Sequence, residues 1–110
     1  MSTVLVVDDK EMMRDSVGAT LQRAGLNVQT ADGGEAALAA IASRRPDVVV
    51  SDMKMPGLSG LELLERVRQI DDELPVVMMT AFAGVDSAVQ AMKKGAFDYI
   101  TKPFEGDELV

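Results

Sequence analysis

"VVVSDMKMPG", Val48 to Gly57, is the stretch on which the fold turns. Three consecutive β-branched residues suit a buried strand. The strand then runs into Ser51 and Asp52, and Pro56-Gly57 marks a turn. A charge seldom stays in a dry interior unless something pairs with it. Asp52 is therefore either a capping or turn-fixing side chain or a chemical group.

Strand and helix periods alternate on either side of this stretch. Upstream, "TVLVV" (Thr3–Val7) is a continuous strand-like run. Met13, Val17, Leu21 and Ala24 then recur at helical spacing, and Gly25 stops that helix as a left-handed C-terminal residue would. "NVQTA" (Asn27–Ala31) alternates and predicts a half-buried edge strand. Asp32-Gly33-Gly34 is a turn, and Ala37, Leu38 and Ile41 carry a second helix closed by Arg44, Arg45 and Pro46. "DVVVS" (Asp47–Ser51) is the third strand. Downstream, Leu61, Leu64 and Val67 mark a third helix, and Pro75 opens a fourth strand, "VVMMTA". Val85, Ala88, Val89 and Met92 predict a fourth helix ended by Gly95. "FDYI" (Phe97–Ile100) is a short fifth strand, and "EGDELV" begins a fifth helix. This β-α repetition implies a parallel sheet with helices on both faces, its central strands being "VLVV", "VVV" and "VVMM".

Composition narrows the function classes. A chain of 110 residues, 47% hydrophobic, is expected to form one domain with a real core. No apolar run approaches the roughly 20 residues that span a bilayer. With no cysteine and no histidine, disulfides, thiolate nucleophiles, histidine metal ligands and Ser-His-Asp catalysis are excluded. A formal charge of −7 argues against direct nucleic-acid binding by this segment. A cytoplasmic location is expected.

In open parallel sheets, ligands bind beyond the carboxyl ends of the strands. The residues there are Asp8 and Asp9 after strand one, Asp52 after strand three, Thr80 and Ala81 at the end of strand four, and Lys102-Pro103 after strand five. Each has a bland explanation: Asp8 or Asp9 as a helix cap, Asp52 as a turn residue, Thr80 as an ordinary strand residue, Lys102 as a solvated charge. Together on one edge they point to chemistry. Clustered carboxylates repel one another, and a hard divalent cation with oxygen ligands relieves this. Mg2+ takes one or two carboxylates plus phosphate oxygens, Lys102 adds a positive charge, and the central Asp52 is the best nucleophile for an aspartyl phosphate.

At "VLVVDD", "SDMKMPGLSG", "VVMMTAFA" and "DYITKPF" the chain resembles a response-regulator receiver domain of two-component systems. "AVQAMKKGAFDYITKPF" is most similar to the nitrogen-regulator (NtrC-like) class. The resemblance implies a flavodoxin-like (CheY-like) doubly wound parallel five-stranded sheet, strand order 2-1-3-4-5. Residues 1–110 would be the receiver domain of a longer regulator, cut off within its fifth helix. It also implies Asp52 as the phosphoacceptor and Mg2+ held by Asp8, Asp9, Asp52 and the backbone carbonyl of Lys54. Thr80 and Tyr99 would be the switch pair, and Lys102 the ammonium that meets the acids and then the phosphoryl group. Ala81, Phe82 and Pro103 would flank the phosphate pocket, with Lys102-Pro103 joined by a cis bond. The implied partners are a sensor histidine kinase and an output domain, AAA+ and DNA-binding in the full-length protein. A homodimer through the face of helix four and strand five is a further expectation. The domain would catalyse its own phosphotransfer and slow autodephosphorylation without being a stand-alone enzyme. Among rivals, a haloacid-dehalogenase-like phosphatase needs a second acid where Lys54 stands. A flavin or nucleotide module lacks a phosphate fingerprint around Gly33-Gly34. A pseudo-receiver would not need the full set of Asp8, Asp9, Asp52, Thr80 and Lys102.

Overall fold

A computed structural model describes residues 2–53, 55, 57–80, 92–93, 95–96 and 98–101, with 80 and 98–101 as backbone. The elements run β1 (Thr3–Val7), α1 (Glu11–Arg23), β2 (Asn27–Ala31), α2 (Gly34–Ser43), β3 (Val48–Asp52), α3 (Gly60–Ile70), β4 (Val76–Thr80) and β5 (Asp98–Thr101). All strand pairs are parallel, in the order β2-β1-β3-β4-β5. The doubly wound sheet expected from the sequence is the sheet observed. β1, β3 and β4, the three runs expected to be central, are its inner strands.

Period-two alternation divides the core between the two faces. Leu5, Val7, Val49 and Met78 pack with Ala37 and Ile41 of α2 and Leu63, Leu64 and Val67 of α3. Val4, Val6, Val50 and Met79 pack on the other face with Val17 and Leu21 of α1. Fully burying a side chain such as Leu63 contributes about 1.5–3 kcal/mol. The inner strands are thus apolar on both faces, which is why they read as unbroken runs rather than as alternations.

Helix ends follow local chemistry. α1 ends at Gly25, whose φ of +90° is in the left-handed region. Gly25 N–H donates to Gln22 O and Leu26 N–H to Leu21 O, the Schellman arrangement. α3 opens with a reciprocal box: Ser59 Oγ accepts from Glu62 N–H at 3.2 Å, and Ser59 N–H donates to Glu62 Oε1 at 3.1 Å.

β3 is shifted by one residue from the sequence expectation at both ends, and β5 runs one residue further, to Thr101. β3 runs from Val48 to Asp52, because Asp47 is occupied before the strand begins. Its side chain accepts from Thr3 N–H at 2.7 Å and its own N–H donates to Thr3 O at 2.8 Å. β4 ends at Thr80, with Ala81 outside the described residues, and β5 begins at Asp98. Of the expected fourth helix, Met92 and Lys93 are helical and the other residues lie outside the described ones. No helix among the described residues is long and apolar enough to cross a membrane.

Candidate functional site

The register of β1 on β3 pairs Val6 with Val50 and Val7 with Ser51. Continued one step, it sets Asp8 beside Asp52. Alternation gives both residues the face of Val6 and Val50, the side covered by α1. Asp8, Asp9 and Asp52 each offer a carboxylate oxygen, and these oxygens all lie within 4.8 Å of one another. Asp8 is fully buried and Asp52 is 5% exposed, whereas Asp9 is half-buried. The three acids expected to converge do so.

Burial of this much negative charge requires compensation. Asp8 Oδ1 accepts from Lys10 N–H at 3.0 Å, and Asp8 N–H donates to Ala31 O at 3.2 Å. Arg14, a turn into α1, donates from Nη1 to the Asp8 carbonyl at 2.8 Å. Asp9 Oδ1 is buried and accepts no hydrogen bond. Lys10 Nζ stands 3.8 Å from it, within ion-pair range but too far to donate a hydrogen bond, and the lysine is mostly exposed. A buried carboxylate oxygen left in this way, beside two further carboxylates, is a donor set suited to a hard cation such as Mg2+. Receiver domains bind Mg2+ at an acidic pocket of this kind.

The loop after Asp52 is anchored at several points. Met53 and Met55 are buried in the α2/α3-side core. Met53 N–H donates to Met79 O at 2.9 Å, and Gly60 N–H donates to Met53 O at 3.0 Å. Gly60 lies so close that a Cβ there would be 2.8 Å from Met53 Cα and would overlap the Asp52 carbonyl oxygen. That carbonyl also accepts from the buried hydroxyl of Ser51 at 3.0 Å. Leu58 folds against Gly34 at the start of α2, where a Cβ would meet its side chain at 2.6 Å. The chain that carries Asp52 is therefore held from β4, α2 and α3.

Thr80 ends β4 one residue past Met79, the register partner of Asp52, and pairs with Thr101 of β5. Tyr99 pairs with Met78. Their backbones thus occupy the expected strands, that of Thr80 next to β3 and that of Tyr99 one strand further out. Lys54, Ala81, Phe82, Lys102 and Pro103 lie outside the described residues. Asp8 and Asp9 do not cap α1: its N-cap is Lys10, without a side-chain cap bond. Arg14, Ser59 and Gly60 were not singled out from the sequence. Ser59-Gly60-Leu61-Glu62 carries the S-x-x-E capping signature that marks the Ser59 contact, but nothing local signals the reach of Arg14 or the crowding at Gly60.

Comparison with known proteins gives a consistent picture. The response regulator receiver domain family matches residues 4–110. The DNA-binding transcriptional regulator NtrC of Salmonella typhimurium is 48% identical over 107 residues, 97% of this chain and 23% of the relative. The C4-dicarboxylate transport transcriptional regulatory protein DctD of Pseudomonas aeruginosa is 43% identical over 107 residues, again 97% of this chain and 23% of the relative. Among solved structures, NtrX from Brucella abortus superposes with a TM-score of 0.93 at 41% identity, covering 98% of this chain and 25% of that one. Chemotaxis protein CheY4 of Vibrio cholerae superposes at 0.94 with 36% identity, covering 99% and 92%. The chain spans about a quarter of the length of the NtrC and DctD relatives it matches.

Proposed function

The chain belongs to the response regulator receiver domain family of two-component systems, and we propose that Asp52 is the residue on which it accepts a phosphoryl group from a sensor histidine kinase. The observation that carries this reading is the grouping of Asp8, Asp9 and Asp52, two of them buried, at the carboxyl ends of β1 and β3. A carboxylate oxygen of Asp52 attacks phosphorus. The new O–P bond forms as the bond from phosphorus to the kinase histidine nitrogen breaks, the electron pair staying on nitrogen. These 110 residues contain no histidine, so the donor histidine lies outside them.

Asp8, Asp9, Asp52 and the carbonyl of Lys54 would hold Mg2+. When bound, the ion supplies the positive charge that lets a dianionic group approach the carboxylates. The protein's part is to keep Asp52 oriented, through the Met53, Ser51 and Gly60 contacts, and to fix Asp8 through Lys10 N–H. Lys102 joins the cation in neutralising the phosphoryl oxygens. Thr80 turns its hydroxyl toward one of them, and Tyr99 follows into the vacated space. Ala81, Phe82 and Pro103 border the pocket, and slow self-catalysed hydrolysis resets it.

The signal leaves through helix four to an output domain, AAA+ and DNA-binding in the NtrC-like arrangement. The face of helix four and β5 serves dimerisation. Residues 1–110 act as the receiver domain of a longer cytoplasmic regulator. The test is incubation with acetyl phosphate and Mg2+, followed by intact-mass measurement of wild type and Asp52→Asn. A single phosphoryl adduct in wild type, removed by hydroxylamine and absent in the variant, is expected. Steady phosphate release with no adduct would mean a phosphatase instead, and an adduct retained in the variant would mean another acceptor.

A further inference from the structure

The loop that brings Asp8 and Asp9 to Asp52 is only three residues long, from the end of β1 at Val7 to the start of α1 at Glu11. Hydrogen bonds from three sides fix Asp8 within it. Its N–H reaches Ala31 O on β2, its Oδ1 takes Lys10 N–H, and its carbonyl takes the guanidinium of Arg14. The first continues the β1–β2 pairing through the backbone, and the second is a short-range bond from a backbone N–H to the Asp8 side chain. The third, at 2.8 Å, comes from a charged donor, and bonds to charged groups are roughly twice as strong as neutral ones. It ties the acid loop to the body of α1. We propose that Arg14 is a positioning residue for the cation site, holding the Asp8 carbonyl so that the Asp8 and Asp9 carboxylates stay aimed at Asp52. The inference rests on the reading of these acids as a Mg2+ site.

Two features separate this from a general packing role. Arg14 borders an open cleft of about 190 Å³ between α1 and β2, shared with Asp15, Gln22 and Thr30. Truncating it therefore enlarges a solvent-filled surface cleft and leaves no void in the core. Its guanidinium also makes no other hydrogen bond among the described residues. The consequence of losing it falls on the loop. Partners that orient a ligand from behind typically set metal affinity by ten- to a hundred-fold. Arg14 acts on the ligand's backbone rather than its carboxylate, so the lower end applies, about tenfold.

Calorimetric titration with Mg2+ of wild type, Arg14→Ala, Arg14→Lys and Arg23→Ala tests this, alongside thermal melts in EDTA. Arg23 lies on the same helix with an exposed bond to Thr20, so its loss removes the same charge without touching the loop. Expected are an affinity about tenfold weaker in Arg14→Ala, recovery to within about threefold in Arg14→Lys, and less than about twofold change in Arg23→Ala. In acetyl phosphate reactions the half-saturating Mg2+ concentration of Arg14→Ala should rise by the same factor. Its rate at saturating Mg2+ should stay within about twofold of wild type. Wild-type affinity in a folded Arg14→Ala protein overturns the inference. So does an equal loss in Arg23→Ala, which would make the effect one of net charge, or a loss that follows a fall in melting temperature and is not recovered by lysine. If wild type binds no Mg2+, the cation-site reading fails first, and that result is distinct from all of these.

Discussion

Replacing Asp52 with Asn should make the metal-free domain more stable while abolishing phosphorylation. Two carboxylates whose oxygens are 4.8 Å apart, the outer limit in this cluster, repel by about 3.5 kcal/mol at an effective dielectric near 20. Asp52 takes part in two of the three pairs. The Asp8–Asp52 pair is the buried one, since Asp9 retains solvent contact. Part of the relief is offset by nearby donors and by the need to satisfy the new amide, so the expected net gain is about 1–3 kcal/mol. At about 4–8 °C per kcal/mol for a domain of this size, thermal melts in EDTA resolve it easily. Mg2+ should then narrow the difference. Ligand binding stabilises wild type by RT ln(1 + [L]/Kd), about 2.7 kcal/mol at a hundredfold excess over Kd, and Asp52→Asn forfeits a ligand. The gap should close as Mg2+ rises. Asp71→Asn is the control, because Asp71 accepts from Arg45 and its removal should not stabilise. If Asp52→Asn is less stable than wild type in EDTA, or if the gap ignores Mg2+, the three carboxylates are not a repulsive cation-binding cluster.

Other outcomes follow from the same geometry. Gly60→Ala forces α3 away from the Asp52 carbonyl and should cost about 1–3 kcal/mol, read as a lower urea midpoint; an unchanged midpoint would mean that the loop yields freely. Asp71 is held below the usual carboxylate range by the Arg45 guanidinium, and Glu62 by the Ser59 backbone and side chain. Carboxyls lowered in the folded state stabilise it above their unfolded values and lose that contribution as pH falls through the folded ones. Urea midpoints should therefore fall below about pH 4, and less steeply in Asp71→Asn. Thr80→Ala should still take up phosphate on Asp52 but lose the NMR shifts across Val85–Tyr99; the full wild-type shift pattern in this variant would remove Thr80 from the relay.

The parts legible in the sequence are those set by local pattern. Thr3–Val7 and Asn27–Ala31 are strands end to end as expected, because β-branched runs meet clear stops at both sides. β2 is an edge strand, but its burial does not alternate cleanly. Val28 lies against Gly18 of α1, where a Cβ would sit at an ordinary contact distance of 3.4 Å. That contact depends on which helix crosses the strand, and no strand-period count contains it. Asp8, Asp9 and Asp52 were legible as a group because parallel strands place their carboxyl ends together. The supports were not. Arg14 reaches back six residues to a carbonyl, and Gly60 is defined by what a side chain would strike across the loop. Both are properties of the assembled chain.

Alternation also explains why the site tolerates so little freedom of register. Val48, Val50 and Asp52 share the α1 face, while Val49, Ser51 and Met53 share the other. A slip of β3 by one residue would send Asp52 toward the apolar residues of α2 and α3 and bring Ser51 to the acids. The valines would survive such a slip, since both faces accept them; the carboxylate would not. Register is therefore specified less by the hydrophobic run than by its ends. At one end Asp47 locks to Thr3. At the other, the buried Met53 and Met55 and the close contact at Gly60 admit one placement of the loop. The repulsion among Asp8, Asp9 and Asp52 opposes that placement, so the core must hold the acids together until a cation relieves them. On this view the stability that Asp52→Asn regains is the strain that makes the site responsive to Mg2+ and phosphate.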